Sequence, residues 1–355
     1  SDPSCARPAE APPARPVPLV VVASTGGGIR SAYWTATVLD CTFGVRPAPE
    51  ENGDPCPPPT AAQQADHSRS DALFALSGIS GGSVGMAEYA AQLVASTSGS
   101  ASSRPDWVRQ ALEVDGLSPS GARWLFVEVA RSFLQFSGPD DRAAVLEGSF
   151  ERRWPDRELG RGLFEVERTN PHVPLLLFNS TSVTDGCRFN VSVLNANVEP
   201  AAGLPTTCRS NTPFDEPAPG QPGRDEEPLS RAPRTTAGSV LPATRDVSDL
   251  LCRQRVDLRL STASLLSARF PYVNPAGRVA SRCPNGPQRV VHGVDGGYLD
   301  TSGASPLVEL MTALEPLVEE ANADPRNAGR CVIPFMVQID NGFDDSSPPR
   351  KPRRP

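Results

Sequence analysis

One serine stands between glycines in a setting that favours a nucleophile. The pentapeptide GISGG (78–82) fits the G-x-S-x-G pattern, with Ser80 at its centre. It follows the apolar run DALFALSG (71–78) and precedes SVGMAEYAAQLVAS (83–96), which has helical spacing, so the serine falls in a strand-to-helix turn. Such a turn lifts a hydroxyl above the end of a sheet, and the N-terminus of the following helix favours a developing negative charge there. The alternative is a tight glycine turn without chemistry.

A second glycine-rich stretch, TGGGIR (25–30), is suited to holding an anion. It also lies between a short apolar run, PLVVVA (18–23), and a segment of helical spacing. Three successive glycines allow the backbone to turn its amide groups outward, and Gly27 and Gly28 are the best candidates to donate to an oxyanion. A phosphate-binding loop is the alternative, but the stretch lacks the lysine of a Walker loop and the last glycine of a dinucleotide fingerprint. Arg30 would brace the loop or, alternatively, meet a phosphate head group.

The chain contains three histidines, and none is well placed as the base for a nucleophilic serine. His67 lies in a polar loop and His172 beside the start of a strand. His292 precedes Asp295 by three residues, so in a strand their side chains project to opposite faces. Asp295 would take the proton of Ser80 directly if it were held within about 3 Å, and partial burial would raise its pKa towards that use. A serine–aspartate dyad is the arrangement that remains, although DGG taken alone is more typical of a surface turn.

The elements that must position these residues have the order of an α/β sheet. Strand, glycine turn and helix follow one another twice between residues 18 and 96, and continuous apolar runs are typical of buried parallel strands. The first of these helices is expected at 31–41. Further strands are expected at 173–183, 187–195, 288–297 and 331–340, and further helices at 258–272 (stopped by Pro271) and at 305–323 (interrupted at Pro316).

Two insertions and two tails complete the predicted organisation. Residues 105–170 have mostly helical spacing, and they form either a subdomain packed on the sheet or, in a sharper interpretation, a lid or acyl-chain wall over a site. Residues 199–246 are rich in proline, glycine and polar residues and are expected to be a long exposed, partly disordered insertion. With proline-rich tails at 1–17 and 346–355, a single domain is expected at 18–345.

Composition narrows the class of partner. The net charge of -7 and the pI of about 5.2 argue against a general nucleic-acid binder. No run of about 18 apolar residues marks a membrane span. A single lysine, Lys351, beside 39 prolines indicates the codon usage of a GC-rich, bacterial-type genome and carries no functional signal.

The eight cysteines are well separated, and none forms a CxxC pair, so a zinc ribbon or redox motif is not expected. An even number fits disulfides in an oxidising compartment, and short loops suggest pairs of Cys41 with Cys56 and of Cys187 with Cys208. The alternative is eight buried thiols in a cytoplasmic protein. The disulfide interpretation predicts an extracytoplasmic or cell-envelope location, with any signal or anchor outside the 355 residues.

The three motifs, in this order, resemble those of the patatin-like phospholipase family. GGGIR (26–30) is similar to the family's oxyanion loop, GISGG to its serine elbow and DGG to its catalytic aspartate turn. STASLLSARFPYVNPAG (261–277) looks like its Ser/Ala-rich helix ending in a proline block. The resemblance runs from residue 18 to about 340, without a counterpart for 199–246. The GGGxR form and the helical insert are closer to the bacterial and cytosolic phospholipase branches than to plant storage proteins.

This resemblance implies a fold, an activity and a set of roles. The implied fold is a three-layer α/β/α sandwich. The implied activity is hydrolysis of fatty acyl esters of phospholipids or related lipids through an acyl-enzyme, with contact to a lipid surface and without a metal or other cofactor. The implied roles are nucleophile for Ser80, base for Asp295, oxyanion loop for Gly26, Gly27 and Gly28 with Gly26 shaping the loop, and support for Arg30, Gly78, Gly82, Gly296 and Gly297.

Three alternative functions stay open at the level of sequence. The same dyad would serve a lipid acyltransferase if an alcohol replaced water. A non-catalytic cell-envelope binding protein could use the same fold, although Ser80 and Asp295 are both retained. Nucleotide binding through TGGGIR is the third, and it lacks the lysine that it would need.

Overall fold

The computed structural model of the chain describes residues 14–44, 56, 68–98, 107–113, 115–134, 141–183, 186–194, 241, 244–247, 250–251, 256–271, 273–280, 290–327 and 329–342. The α-helices among them are α1 Gly28–Phe43, α2 Ser68–Asp71, α3 Gly81–Ser98, α4 Trp107–Glu113, α5 Leu117–Ala122, α6 Val129–Leu134, α7 Arg142–Glu151, α8 Leu163–Thr169, α9 Leu260–Leu266 and α10 Ala304–Ala323. A π-helical segment, Arg123–Glu128, joins α5 to α6, and 3₁₀ helices span Glu158–Gly160, Gly296–Tyr298 and Pro325–Asn327.

The strands among these residues form one mixed sheet. They are β1 Arg15–Ser24, β2 Leu73–Ile79, β3 Leu175–Ser182, β4 Arg188–Val191, β5 Arg245–Asp246, β6 Gly277–Ala280, β7 Val290–Asp295 and β8 Arg330–Ile339. The main path of the sheet runs β5-β4-β3-β2-β1-β8, and β7 pairs with β3 and β6. The neighbours β8, β1, β2 and β3 are parallel, as expected for strands joined by crossover helices, whereas β4 and β7 run antiparallel to β3.

The sheet lies between two helical layers, which explains why its central strands are continuous apolar runs. In β1, Val22 is buried with α1 and α3 on one face. Its neighbours Val21 and Ala23 are buried on the other face with Leu307 and Leu310 of α10. The predicted α/β class with a central sheet and flanking helices is therefore confirmed.

The edge of β3 brings two distant strands end to end. Strand β2 runs parallel beside β3 and ends with Ile79 opposite Asn179. Strand β7 runs antiparallel to β3 and ends with Asp295 opposite Ser180. Because β4 pairs with both Asn179 and Ser180 along the opposite edge, β2 and β7 share the same edge of β3. The residue that follows β2 and the last residue of β7 consequently face each other.

The described residues between 107 and 169 are mostly helical, as their spacing predicts, and α4 and the 3₁₀ helix Glu158–Gly160 pack against α3. At the centre of this packing, Trp154 Nε1 donates to Oε2 of the fully buried Glu88 at 2.6 Å. An ion pair at 2.9 Å between Arg142 and Glu128 ties the π-helical segment to α7. The helical insertion is thus anchored to the same helix that follows Ser80.

The structure corrects several sequence-based boundaries. The predicted interruption at Pro316 is wrong, because α10 continues through it. Pro316 lies on the exposed face, where water can satisfy the carbonyl that loses its intrahelical partner. Helix α9 ends at Leu266, short of Pro271, and β6 was not predicted. The predicted insertion at 199–246 falls outside the described residues apart from a few positions at its end.

The described cysteines are disulfide-bonded. Cys41, near the end of α1, is bonded to the buried Cys56, as the short loop predicts. Cys187 and Cys331 are also in disulfides. Cys208 falls outside the described residues, so its pairing with Cys187 stays a prediction. None of the described helices is both long and apolar enough to cross a bilayer.

Candidate active site

Ser80 occupies a sharp turn between β2 and α3. Its φ of 51° lies in the left-handed region, which is uncommon for a residue with a side chain. The turn can form because the two residues after Ser80 are glycines, whose missing side chains let other parts of the backbone come close. A Cβ on Gly81 would overlap the carbonyl oxygen of Gly28, and one on Gly82 would lie 2.8 Å from the carbonyl oxygen of Thr25. The sequence therefore places glycines where the chain passes closest to the TGGGIR loop.

Gly78 is required for a different reason. A Cβ there would lie 2.7 Å from the backbone nitrogen of Ser83 in the first turn of α3. The strand must approach the helix this closely to reverse direction at Ser80. Gly78 and Gly82 thus shape the turn as expected from the motif.

The side chains of Ser80 and Asp295 meet across the gap between β2 and β7. Ser80 Oγ donates a hydrogen bond to Asp295 Oδ2 at 2.5 Å. The other carboxylate oxygen of Asp295 accepts from the backbone nitrogen of Gly297 at 2.8 Å. A Cβ on Gly296 would overlap the carbonyl oxygen of Asn179, so this glycine permits the chain to turn directly against β3. The DGG stretch is therefore a buried turn at the sheet, and the surface-turn interpretation is wrong.

Burial governs the protonation of Asp295, whose side chain is almost entirely hidden from solvent. Burial raises the pKa of the Asp295 carboxyl above its ordinary value of 3.8, while hydrogen bonds from Ser80 and from the Gly297 backbone oppose that rise. A carboxylate with a raised pKa is a better proton acceptor than an exposed one. Its hydrogen bond with Ser80 is the arrangement needed for direct proton transfer.

The glycine loop at 25–30 is positioned beside the same turn. Gly27 and Gly28 have φ values of 142° and 63°, conformations that glycine adopts readily. Both line the cavity that contains Ser80, and no acceptor within the described part of the chain pairs with their amide groups. The amide of Gly26 instead donates to the carbonyl oxygen of Thr301 at 3.1 Å. Gly26 is therefore not an available donor, which fits the shaping role expected for it, and the role of Gly27 and Gly28 as oxyanion donors stays a prediction.

Arg30 braces this loop. Its Nη2 donates to the carbonyl oxygen of Asn341 at 2.6 Å, and Asn341 Nδ2 donates to the carbonyl oxygen of Gly26 at 2.8 Å. Trp34 Nε1 adds a bond at 3.1 Å to the carbonyl oxygen of Asp340. The loop is thus clamped to the segment that follows β8, which supports the bracing interpretation of Arg30.

A cavity of about 1210 Å³ surrounds the Ser80 hydroxyl and the Asp295 carboxylate. The helical insertion supplies one apolar wall, and the residues after α9 and β7 supply another, in which the rings of Phe270 and Tyr298 stack with centroids 6.1 Å apart. The apolar insertion residues in the lining are Leu112, Leu117, Leu146 and Phe150, and Glu113, Asp115 and Gly116 of the insertion also line the cavity. The insertion therefore packs on α3 and also lines the cavity, and its role as a lid or acyl-chain wall stays a prediction.

The histidines lie away from this arrangement or outside the described residues. His292 is on the face of β7 opposite to Asp295, as its spacing predicts, and its neighbour across the ladder is Arg278. His172 Nδ1 bonds to Asp71 at 2.6 Å near the start of β2. His67 is not among the described residues. Within the part of the chain that the structure describes, no cluster of three metal-ligating side chains occurs.

Sequence reasoning missed residues whose importance depends on distant contacts. Asn341 and Thr301 hold the glycine loop, yet they follow β8 and the Asp295 turn far along the chain. Ser267 bonds to the backbone of Ser80 across 187 residues. The STASLLSARFPYVNPAG stretch did single out the region of Ser267, but nothing in its spacing distinguishes that serine from the others.

Comparisons with known proteins add distant similarities. No family model and no curated protein matches this chain. Among solved structures, human GIVD cytosolic phospholipase A2 in complex with methyl gamma-linolenyl fluorophosphonate is similar at 17% identity with a TM-score of 0.30, over 49% of this chain. The complex with that inhibitor and terbium chloride is similar at 16% identity, also with a TM-score of 0.30, over 50% of this chain.

The matched part spans about a quarter of the human enzyme, 23% and 24% of its chain in the two structures. Similarity at this level carries no information about activity. The chemistry proposed below consequently rests on the contacts of Ser80, Asp295 and the glycine loop in this chain.

Proposed function

We propose that this chain is a serine acyl hydrolase that cleaves fatty acyl esters of phospholipids or related lipids, with Ser80 as nucleophile and Asp295 as base. The observation that carries the proposal is the 2.5 Å hydrogen bond between Ser80 Oγ and Asp295 Oδ2 inside a cavity with apolar walls. A serine hydroxyl is a weak nucleophile until a neighbouring base takes its proton. Asp295 is the base that this geometry offers.

In the first half-reaction, Ser80 Oγ attacks the carbonyl carbon of the ester while its proton passes to Asp295. The charge that develops on the carbonyl oxygen is stabilised by the amides of Gly27 and Gly28. The bond to the alcohol then breaks, the alcohol leaves with the proton from Asp295, and the acyl group remains on Ser80.

In the second half-reaction, water gives a proton to Asp295 and attacks the acyl carbon. The bond to Ser80 breaks, and Ser80 Oγ recovers the proton as the fatty acid leaves. Both protons move through the same carboxylate, so the cycle needs no histidine.

A lipid is the substrate class that the cavity favours. Ligand sites usually occupy about 300–1,000 Å³, and this cavity, at about 1210 Å³, has room for a long acyl chain. The wall formed by Leu112, Leu146 and Phe150 would bury the methylene groups of that chain, at about 0.8 kcal/mol for each group removed from water.

A lipid surface is the partner that the helical insertion favours. The continuous helical segment 117–134 exposes Trp124, Phe126 and Phe133, at 50%, 73% and 81% of their surfaces. Leu117, at the start of the same segment, is both exposed and part of the cavity wall. Exposed apolar side chains of this kind are typical of lipid-contacting helices, and the segment that carries them begins at the cavity wall.

The disulfide between Cys41 and Cys56 supports an oxidising, extracytoplasmic location. We include that location in the proposal because lipids of a cell envelope would be accessible to the protein there.

The test is labelling with a fluorophosphonate together with hydrolysis of a panel of lipid and short-chain esters. We expect Ser80→Ala and Asp295→Asn each to lower kcat by about 10³-fold or more, because one removes the nucleophile and the other removes the base. The matched variant His292→Ala should keep most of the activity. Products formed with and without an added alcohol acceptor separate hydrolysis from acyl transfer.

Two outcomes would contradict the proposal. Folded wild-type protein that takes no label and turns over no ester would exclude an enzyme of this class. Loss of activity in His292→Ala but not in Asp295→Asn would replace the dyad with a serine–histidine mechanism.

A further inference from the structure

Ser267 is a buried serine just after α9, and it lies at the junction of the elements that carry Ser80 and Asp295. Its hydroxyl makes three hydrogen bonds. It accepts from the backbone nitrogen of Ser80 at 3.0 Å and from Ser83 Oγ at 2.8 Å, and it donates to the carbonyl oxygen of Asn179 at 2.5 Å. A hydroxyl has one proton to donate and two lone pairs to accept with, so this hydroxyl is fully used.

The contact with Ser80 matters because of the strained backbone there. Ser80 has a φ of 51°, and such a conformation persists when its surroundings fix it from several directions. Gly81 and Gly82 permit the turn, but they do not hold the Ser80 amide in place. The Ser267 hydroxyl holds the Ser80 amide in place, and it is itself hydrogen-bonded to the carbonyl oxygen of Asn179 on β3.

The backbone after α9 holds the opposite member of the pair. The carbonyl oxygen of Ser267 accepts from the backbone nitrogen of Gly296 at 3.1 Å, and that of Arg269 accepts from the backbone nitrogen of Asp295 at 3.0 Å. The Arg269 side chain is in turn fixed by Glu147 at 3.3 Å and Asp141 at 3.1 Å. Residues 267–269 therefore contact both sides of the Ser80–Asp295 hydrogen bond.

We infer that Ser267 is a positioning residue for the reaction, which holds the Ser80 turn in register with Asp295 through its side-chain hydroxyl. This inference rests on the proposed function. Ser267 does not line the cavity, so its removal acts on the geometry of the pair and leaves substrate binding largely intact.

The test compares Ser267→Ala with Ser264→Ala. Ser264 is also buried on α9, one turn earlier, but its hydroxyl bonds to the carbonyl oxygen of Ser261 within the same helix. On a soluble short-chain ester we expect Ser267→Ala to lower kcat on the order of 10- to 100-fold, with KM within about twofold of wild type, while Ser264→Ala stays close to wild type. Ser267→Thr, which keeps the hydroxyl, should recover much of the lost kcat.

A second readout does not depend on catalysis. Hydrogen exchange of the peptide that covers residues 78–84 should become faster in Ser267→Ala and remain unchanged in Ser264→Ala, since only the first variant frees the Ser80 amide. Wild-type protein without turnover would contradict the proposed function, and the exchange rates would still decide whether Ser267 holds the turn.

Either of two results would overturn the inference. One is a kcat and an exchange rate in Ser267→Ala that match those of Ser264→Ala. The other is a loss of kcat that equals the loss of folded protein, measured by circular dichroism on the same samples.

Discussion

At the scale of residues, the buried carboxylate of Asp295 sets a pH dependence for the proposed reaction. Burial raises its pKa, and the base works only when it is ionised. We expect kcat/KM to be constant at high pH and to fall about tenfold per pH unit once the pH drops below the raised pKa of Asp295. The measurement is a pH–rate profile with a soluble ester.

The profile of Ser264→Ala provides a control, since that residue does not titrate and its hydroxyl bonds within α9. A rate that falls instead as the pH rises through this range would show that the working form of Asp295 is protonated, and it would contradict the role of base.

Glu88 provides a second prediction at this scale, for stability. Burial raises its pKa to about 8, against an ordinary value of 4.5, and Trp154 donates to it. Folded protein keeps this proton between pH 4.5 and 8 while unfolded protein releases it, so the wild type loses up to about 1.4 kcal/mol of unfolding free energy per pH unit there. Glu88→Gln cannot ionise, and its advantage over wild type should grow from pH 5 to pH 8 in urea unfolding.

The exposed Glu320→Gln on α10 is the matched control for that experiment. Equal pH slopes in wild type and Glu88→Gln would mean that Glu88 is ionised in the folded protein, contrary to the effect of its burial.

At the scale of elements, the register of β7 on β3 determines where Asp295 lies. Gly293 is opposite Ser182 in this pairing, and a Cβ at Gly293 would overlap the ring of Phe189. We expect Gly293→Ala to displace β7, to lower the free energy of unfolding by about 1–3 kcal/mol and to lower kcat in the remaining folded protein. Thermal melting and ester turnover measure the two effects.

Gly121→Ala is the control, because nothing lies within 4 Å of a Cβ at that helical position. Melting and turnover in Gly293→Ala equal to those of wild type would show that Phe189 yields without moving β7.

The helical segment 117–134 carries a prediction about surfaces. Replacing Phe126 and Phe133 with serine removes two of its most exposed aromatic side chains. We expect weaker co-sedimentation with phosphatidylcholine vesicles and slower hydrolysis of vesicle lipid, with unchanged turnover of a soluble ester, because neither residue lines the cavity.

As a control, Leu317→Ser removes an apolar side chain that is 58% exposed from α10, on the other side of the sheet. If both changes weaken vesicle binding equally, the segment has no special part in it.

The same elements show which parts of the fold and of the site can be predicted from the sequence. The strand before and the helix after both Ser80 and the TGGGIR loop follow from apolar runs, helical spacing and glycines, because local spacing indicates which faces are buried. The pairing of Asp295 with Ser80 is suggested by the poorly placed histidines and by the resemblance, because no local pattern relates two residues that are 215 positions apart. The course of α10 through Pro316, the presence of β6 and the bonds of Ser267 depend on tertiary contacts that no local pattern encodes.

At the scale of the whole molecule, disulfides join elements that the sheet alone does not fix. The Cys41–Cys56 bond closes a loop of 15 residues between α1 and the segment before β2. We expect the double change Cys41→Ala and Cys56→Ala to lower the free energy of unfolding by about 2–4 kcal/mol. Urea unfolding measures this loss, and thiol titration of denatured, unreduced wild type should find Cys41, Cys56, Cys187 and Cys331 unreactive.

An unchanged unfolding curve in the double variant would contradict a structural role for this bond. Reactive thiols at these positions in freshly purified protein would remove the support for an oxidising compartment.

Because β2 and β7 meet end to end along β3, strand β3 determines the distance between Ser80 and Asp295. Ile79 pairs with Asn179 and Asp295 pairs with Ser180, so two neighbouring residues of β3 set both positions. A shift of β2 or β7 by one residue, about 3.3 Å, would separate Ser80 from Asp295. Neither Ser80 nor Asp295 belongs to that strand. The number of residues between Ser80 and Asp295 can therefore change at a small cost in free energy, because the entropy of loop closure depends only weakly on length. The pairing of β2 and β7 with β3 cannot change without moving the two residues apart. Insertions in the connecting segments would therefore leave the distance between Ser80 and Asp295 unchanged, as long as the strand pairing is kept.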